Sequence, residues 1–171
     1  DASAIWFFQN VGKAIHVIDY YEQRNEGLPH FARILEERGY LYGYHLAPHD
    51  IEHRELGTGK SRLETAYQLG INFRVCKKIP IEDGIHAAQM ALSRCWFDYD
   101  NCEQGLQALN QYHRAYNERT RSFRMSVVHD WSSHGADAFR YLAVGLEDND
   151  RLQGGPPQNH AIMEYSVFGH A

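Results

Sequence analysis

The stretch His129-Asp130-Trp131-Ser132-Ser133-His134-Gly135-Ala136-Asp137-Ala138-Phe139-Arg140-Tyr141 decides how the rest of this chain is read. Ser132 or Ser133 suits a helix cap, because a hydroxyl accepts a bond from an orphan backbone donor of the first turn. Beyond it, Phe139, Leu142, Ala143 and Leu146 recur at helical spacing and predict a packing stripe. His134, Asp137 and Tyr141 fall on the opposite side, near the helix's positive end. An imidazole and a carboxylate one turn apart, with Asp130 just ahead of them, make half of a metal site. Spacing alone favours the plainer reading, a solvated polar face opposite a core stripe.

Outward from that helix, the chain reads as α/β. Its 171 residues suffice for one domain with a proper core. Eleven Tyr and an aromatic share of 13% favour a sheet over a helical bundle. A net charge of −5 gives no general attraction to nucleic acid, so any such binding requires a local basic patch. Cys76, Cys95 and Cys102 lack zinc-like spacing, and an odd number argues against a disulfide framework. They read as buried thiols of a cytosolic protein. No apolar run is long enough to span a membrane and no signal peptide opens the chain.

Ala4-Ile5-Trp6-Phe7-Phe8 and Ala14-Ile15-His16-Val17-Ile18-Asp19-Tyr20-Tyr21 predict two strands joined as a hairpin, with Asp19 at the water edge. A helix follows Gly27-Leu28-Pro29. The strand Tyr40-Leu41-Tyr42-Gly43-Tyr44-His45-Leu46 then runs into Ala47-Pro48-His49-Asp50. Open α/β sheets place ligands just past the carboxyl ends of their strands, which makes Asp50 a site candidate. Gly57-Thr58-Gly59-Lys60-Ser61 resembles half of a phosphate loop, but Arg54 stands where the first Gly is needed. It reads as a flexible loop whose Lys60 and Arg62 suit a phosphate backbone.

A short helix to Leu69, a strand over Ile71-Asn72-Phe73-Arg74-Val75-Cys76 and a helix with Ile85, Ala88, Met90 and Leu92 as core come next. Arg119-Thr120-Arg121-Ser122-Phe123-Arg124 predicts a β-excursion with alternate Arg on one face, either solvated or contacting phosphate. Residues 148–171 read as a linker and a loosely attached tail. Two acids from distant segments, Asp50 and Asp137, are placed to meet at the rim of a mixed sheet. Oxygen ligands of that kind favour Mg²⁺ or Mn²⁺ over zinc. A zinc hydrolase built on His45, His49 and His134 is a weaker alternative, since their spacing matches no zinc motif.

The segment 129–141 resembles the closing motif of the nuclease domain of phage large terminase subunits. Tyr44-His45-Leu46-Ala47-Pro48-His49-Asp50 resembles that family's middle acidic motif, and Asp1-Ala2-Ser3-Ala4-Ile5-Trp6 its early Asp-x-Thr/Ser-Ala-Ile segment. The resemblance covers residues 1–147 and implies an RNase H-like mixed sheet flanked by helices. It implies a metal-dependent endonuclease cutting concatemeric double-stranded DNA with two Mg²⁺ or Mn²⁺ ions. By motif position, Asp50 and Asp137 become catalytic, metal-binding acids, with Asp1 and His134 as further ligand candidates. Lys60, Arg62, Arg119, Arg121 and Arg124 are the expected DNA contacts.

The family carries another acid on a strand ahead of the position matched by Asp1, so the domain is expected to be N-terminally truncated and to lack its first strand. Portal protein and small terminase subunit are the partners implied for the full-length protein, acting in the host cytoplasm. The missing acid leaves a second reading open, a non-catalytic module docking on DNA and portal.

Overall fold

The computed structural model describes residues 2–152 and 163–167. Strands β1 (Ala2–Val11) and β2 (Ala14–Arg24) form the expected hairpin, and helix α1 (Leu28–Arg38) and strand β3 (Tyr42–Ala47) follow. A 3₁₀ turn spans His49–Glu52, then come α2 (Arg62–Gln68), β4 (Phe73–Val75), α3 (Ile81–Leu92), β5 (Cys95–Phe97) and α4 (Tyr99–Gln111). A small hairpin, β6 (Arg114–Asn117) and β7 (Ser122–Val127), leads into α5 (Trp131–Leu152), and β8 (Met163–Val167) closes the order. Six strands form one mixed sheet in the order β4-β3-β8-β1-β2-β5.

Alternation along β1 builds both layers. Ala4, Trp6 and Phe8 enter one core with α3, α4 and α5, while Ile5 and Phe7 enter the other with α1 and α2. In β2 the register jumps from Phe7↔Asp19 to Phe8↔Val17, leaving Ile18 as an extra residue. That bulge is why Val17 and Tyr20, an odd number of positions apart, share the α5 core.

On the α5 side the helices approach closely. A methyl group at Gly105 of α4 would overlap the Trp6 ring, and one at Gly84 of α3 would meet the Arg140 side chain at 2.6 Å. The core of α3 is therefore made of small residues, Gly84, Ala87 and Ala91. Met90 and Leu92, expected inside, stand 58% and 39% exposed, because the side facing α5 has no room for them. The Trp6 indole donates to the Gly135 carbonyl at 2.9 Å and pins α5 across the sheet.

Three further expectations differ from the structure. Asp19 is buried, with Arg38 3.1 Å from its carboxylate, so it is not at the water edge. Helix α5 continues through Asp148 to Leu152, past the expected start of the linker. Within the expected tail, Met163–Val167 lies in the sheet, antiparallel to β1 and parallel to β3. The place between β1 and β3 is thus filled from the far end of the chain.

Candidate functional site

Strand β3 delivers its carboxyl end to one rim of the sheet. Pro48 ends the strand, and the turn His49–Glu52 is held down by the fully buried Ile51, which leaves His49 and Asp50 at the rim. Opposite them runs α5. Its first turn is capped by Asp130 instead of a serine: the Asp130 carboxylate accepts the Ser132 amide at 2.9 Å and the Ser132 hydroxyl at 2.5 Å. Those bonds hold the Asp130 carboxyl below its usual range.

The face of α5 bearing Asp137 and Tyr141 is not solvated. Asp137 is 4% exposed and Arg140 7%, because this helix is covered by the sheet on one side and by α3 and α4 on the other. Burial pushes the Asp137 carboxyl up, and the adjacent Arg140 opposes that shift. Arg140 donates to Asp137 at 3.1 Å, and the Tyr112 hydroxyl at the end of α4 lies 3.4 Å from the same oxygen. Gly84 leaves the space in which the Arg140 side chain lies.

Tyr141 joins the two segments. Its hydroxyl is 3.3 Å from Nδ1 of His49, the neighbour of Asp50. Its phenol is raised first by burial, and the carboxylates of both Asp50 and Asp137 raise it further. Two acids 87 positions apart in the sequence therefore act on one phenol. Arg140, whose guanidinium lies 5.1 Å from the Tyr141 ring, acts in the opposite sense.

The other expected site residues are distributed around this rim. His134 lines a separate cleft of about 310 Å³ with Ala2, Arg24, His129, Asp130, Trp131 and Ser133. Asp1 lies outside the described residues. His45 faces the rings of Tyr42 and Phe73, and burial lowers its pKa to about 4, so it is neutral near pH 7. It does not join His49 and His134. The three thiols are also out of play: burial pushes Cys76, Cys95 and Cys102 up to about 12, which keeps them protonated.

The basic residues divide into two groups. Lys60 and Arg62 flank the Ser61 capping box that opens α2, and Arg62 lies 3.9 Å from Glu55. They sit on the α1/α2 side of the sheet. Arg119 and Arg121 lie at the tip of the β6–β7 hairpin on the α3/α5 side, with Arg121 in the left-handed region at φ 51°. Arg124 alone is on strand β7, so the expected alternation along one strand gives way to a turn. Asn117 organises that turn by accepting the amides of Arg119 and Thr120 at 3.0 and 3.4 Å. Arg114, paired with Glu82 of α3, ties the hairpin base to the domain.

The carboxylate oxygens of Asp50 and Asp137 are of the right kind for Mg²⁺ or Mn²⁺. Their number falls short: among the described residues, no three His, Cys, Asp or Glu side chains are grouped to hold a metal ion. Sequence reasoning missed Arg140 and Tyr112, the two groups that touch Asp137. Arg140 had a legible signal, its i+3 spacing from Asp137, whereas Tyr112 arrives from another helix.

No protein-family model and no curated protein matches the sequence. The large terminase nuclease domain of bacteriophage SPP1, solved with bound Mn, matches in structure with a TM-score of 0.58 and 16% identity. The match covers 86% of this chain and 78% of that one. The chain shares that domain's fold.

Proposed function

We propose that this chain is the metal-dependent endonuclease domain of a viral DNA-packaging terminase large subunit. It cuts concatemeric double-stranded DNA by phosphodiester hydrolysis. The observation that carries this reading is the contact of Tyr141, one turn on from Asp137, with His49, the neighbour of Asp50, in a fold shared with a nuclease domain solved with Mn. Asp50 and Asp137 are the metal-binding acids, and Asp1 and His134 are further ligands. Asp50 and Asp137 would hold two Mg²⁺ or Mn²⁺ ions, which would supply charge stabilisation to the oxygens of the phosphodiester.

The chain's own residues prepare the site. Arg140 is a positioning residue: its charge opposes the effect of burial and favours the ionised form of Asp137. Tyr141 and His49 tie the rim turn to α5. The hairpin tip with Arg119, Arg121 and Arg124 lies along the DNA backbone, and Lys60 and Arg62 add contacts from the other side of the sheet. Portal protein and small subunit are the partners of the whole protein, in the host cytoplasm. Among the described residues, no helix is long and apolar enough to cross a membrane.

The test is Mn²⁺-dependent nicking of supercoiled plasmid. Asp137→Asn and Asp50→Asn, which keep size and hydrogen bonding, are each expected to abolish nicking while circular dichroism is unchanged. Undiminished nicking by either variant refutes the assignment. A second reading is favoured by the Arg140 pair and by the incomplete ligand set. Under it the domain binds DNA and portal without cutting, and salt-sensitive DNA retention with no nicking at any Mn²⁺ concentration identifies it.

A further inference from the structure

Helices α3, α4 and α5 and the base of the β6–β7 hairpin surround a cavity of about 300 Å³. Small residues leave the space: Ala88 of α3 and Ala136 of α5 both line it. The hairpin supplies the remaining wall. Arg114 of β6 pairs with Val127 of β7, and both line the cavity. Beside that pair the Val128 amide donates to the His113 carbonyl at 3.0 Å, which holds the hairpin base in place. The size lies at the lower end of what a small-molecule site needs.

The lining is of two kinds. Ile85, Leu92, Leu109 and Phe139 supply apolar surface, whereas Tyr112, Arg114 and Arg140 supply polar groups. Among the described residues no acidic side chain lines the cavity, although the chain carries a net charge of −5. Each arginine has one carboxylate partner that is not part of the lining, Glu82 for Arg114 and Asp137 for Arg140. The fork of a guanidinium carries donors well beyond one such bond. In Arg140 the surplus is specific. Its side chain is almost fully buried, and its Nε has no hydrogen-bond partner. Buried donors are ordinarily paired, so this one calls for an acceptor.

We propose that this cavity binds a small amphiphilic carboxylate, with its acid group on Arg140 and Arg114 and its hydrocarbon part against Ile85, Leu92, Leu109 and Phe139. A carboxylate offers two oxygens to a planar donor fork, the pairing that guanidinium geometry favours. A neutral head group forgoes the charge of both arginines, and an ammonium meets two like charges. The apolar wall gives the hydrocarbon part a place out of water. Tyr112 and Arg140 are also the two groups that touch Asp137, so the occupant shares its donors with that carboxylate. The cavity is nevertheless lined by none of the residues of the His134 cleft.

The test titrates the full chain with decanoate, kept below its micellar concentration, and follows binding by calorimetry and by methyl NMR. Saturable one-to-one binding is expected, with the methyl signals of Ala88, Val127 and Ala136 among those that move. Decanol and decyltrimethylammonium are expected to bind at least tenfold more weakly, the effect of losing a charge-assisted bond. Ala88→Phe, which fills the cavity, and Arg114→Gln, which removes one cation from the lining, are each expected to weaken decanoate at least tenfold. Circular dichroism checks that each variant is folded. The comparison of decanoate with decanol uses the unaltered chain, so it decides the matter even where a variant fails to fold. No saturable binding, equal binding of decanoate and decanol, or undiminished binding by either folded variant overturns the proposal. None of these readouts involves metal or cleavage, so the nuclease reading stands or falls separately.

Discussion

Asp19 and Asp137 have similar immediate surroundings and very different neighbourhoods. Each is a buried carboxylate with an arginine 3.1 Å away, and burial pushes each upward while the arginine opposes it. Asp19 lies within strand β2, with its other oxygen accepting the Tyr20 amide and the Arg38 cation near the rings of Phe7 and Tyr21. Asp137 lies near the rim, where Tyr141 also responds to Asp50 and where a cleft with two imidazoles adjoins. A buried Asp–Arg pair is thus a recurring packing unit of this fold. What separates the two pairs is position: Asp137 lies one turn ahead of Tyr141, whose hydroxyl reaches His49 just past the carboxyl end of β3, whereas Asp19 lies within a strand.

The largest effect expected from that contrast is on cleavage. Asp137→Asn is expected to lower Mn²⁺-dependent nicking by at least about 10³-fold, as loss of several kcal/mol of transition-state stabilisation requires. Asp19→Asn is expected to leave nicking within about twofold, measured on the same plasmid. Equal losses from both would erase the distinction between the two pairs.

Next in size is the stability cost of removing each arginine. Arg140→Ala strands a carboxylate that is almost fully buried and is expected to cost about 3 kcal/mol in urea unfolding. Arg38 is more than one-third exposed at its side chain, so water partly replaces it and Arg38→Ala is expected to cost less. A larger cost for Arg38→Ala would reverse the ranking of the two sites.

His45 tests a buried group outside both pairs. Its pKa of about 4 lies below the unfolded value of 6.5, so the unfolded chain binds more protons between these limits. Stability is therefore full above pH 6.5 and falls as pH drops toward 4, by on the order of 2 kcal/mol. In His45→Phe that part of the slope is expected to vanish, as followed by urea midpoints from pH 7 to 4.

The smallest expected effects belong to the exposed hairpin. Arg119→Ala, Arg121→Ala or Arg124→Ala should each leave unfolding unchanged and reduce the salt slope of DNA binding by about 1. No change in slope from any of the three would remove the hairpin from the DNA interface.

Much of this domain was legible before any coordinates. Alternating apolar residues predicted the β1–β2 hairpin, and the stripe Phe139, Leu142, Ala143 and Leu146 is buried as spacing required. Asp50 was singled out as a candidate because β3 ends just ahead of it, and that strand end lies where expected. Small-residue packing was illegible: nothing in the run 81–92 says that Met90 faces out, since that depends on how closely α5 approaches. The β2 bulge was equally hidden, because one extra residue leaves the composition of a strand unchanged.

Periodicity and chain order by themselves determined the α/β class, the outline of most elements and the two acids worth watching, because those are local properties of hydrophobic spacing and strand ends. Only the tertiary structure decided that Asp137 is buried against Arg140, that Tyr141 responds to both acids, and that Met163–Val167 occupies the middle of the sheet. Each of these depends on segments far apart in the chain meeting in space. Local sequence pattern carries no record of such partners.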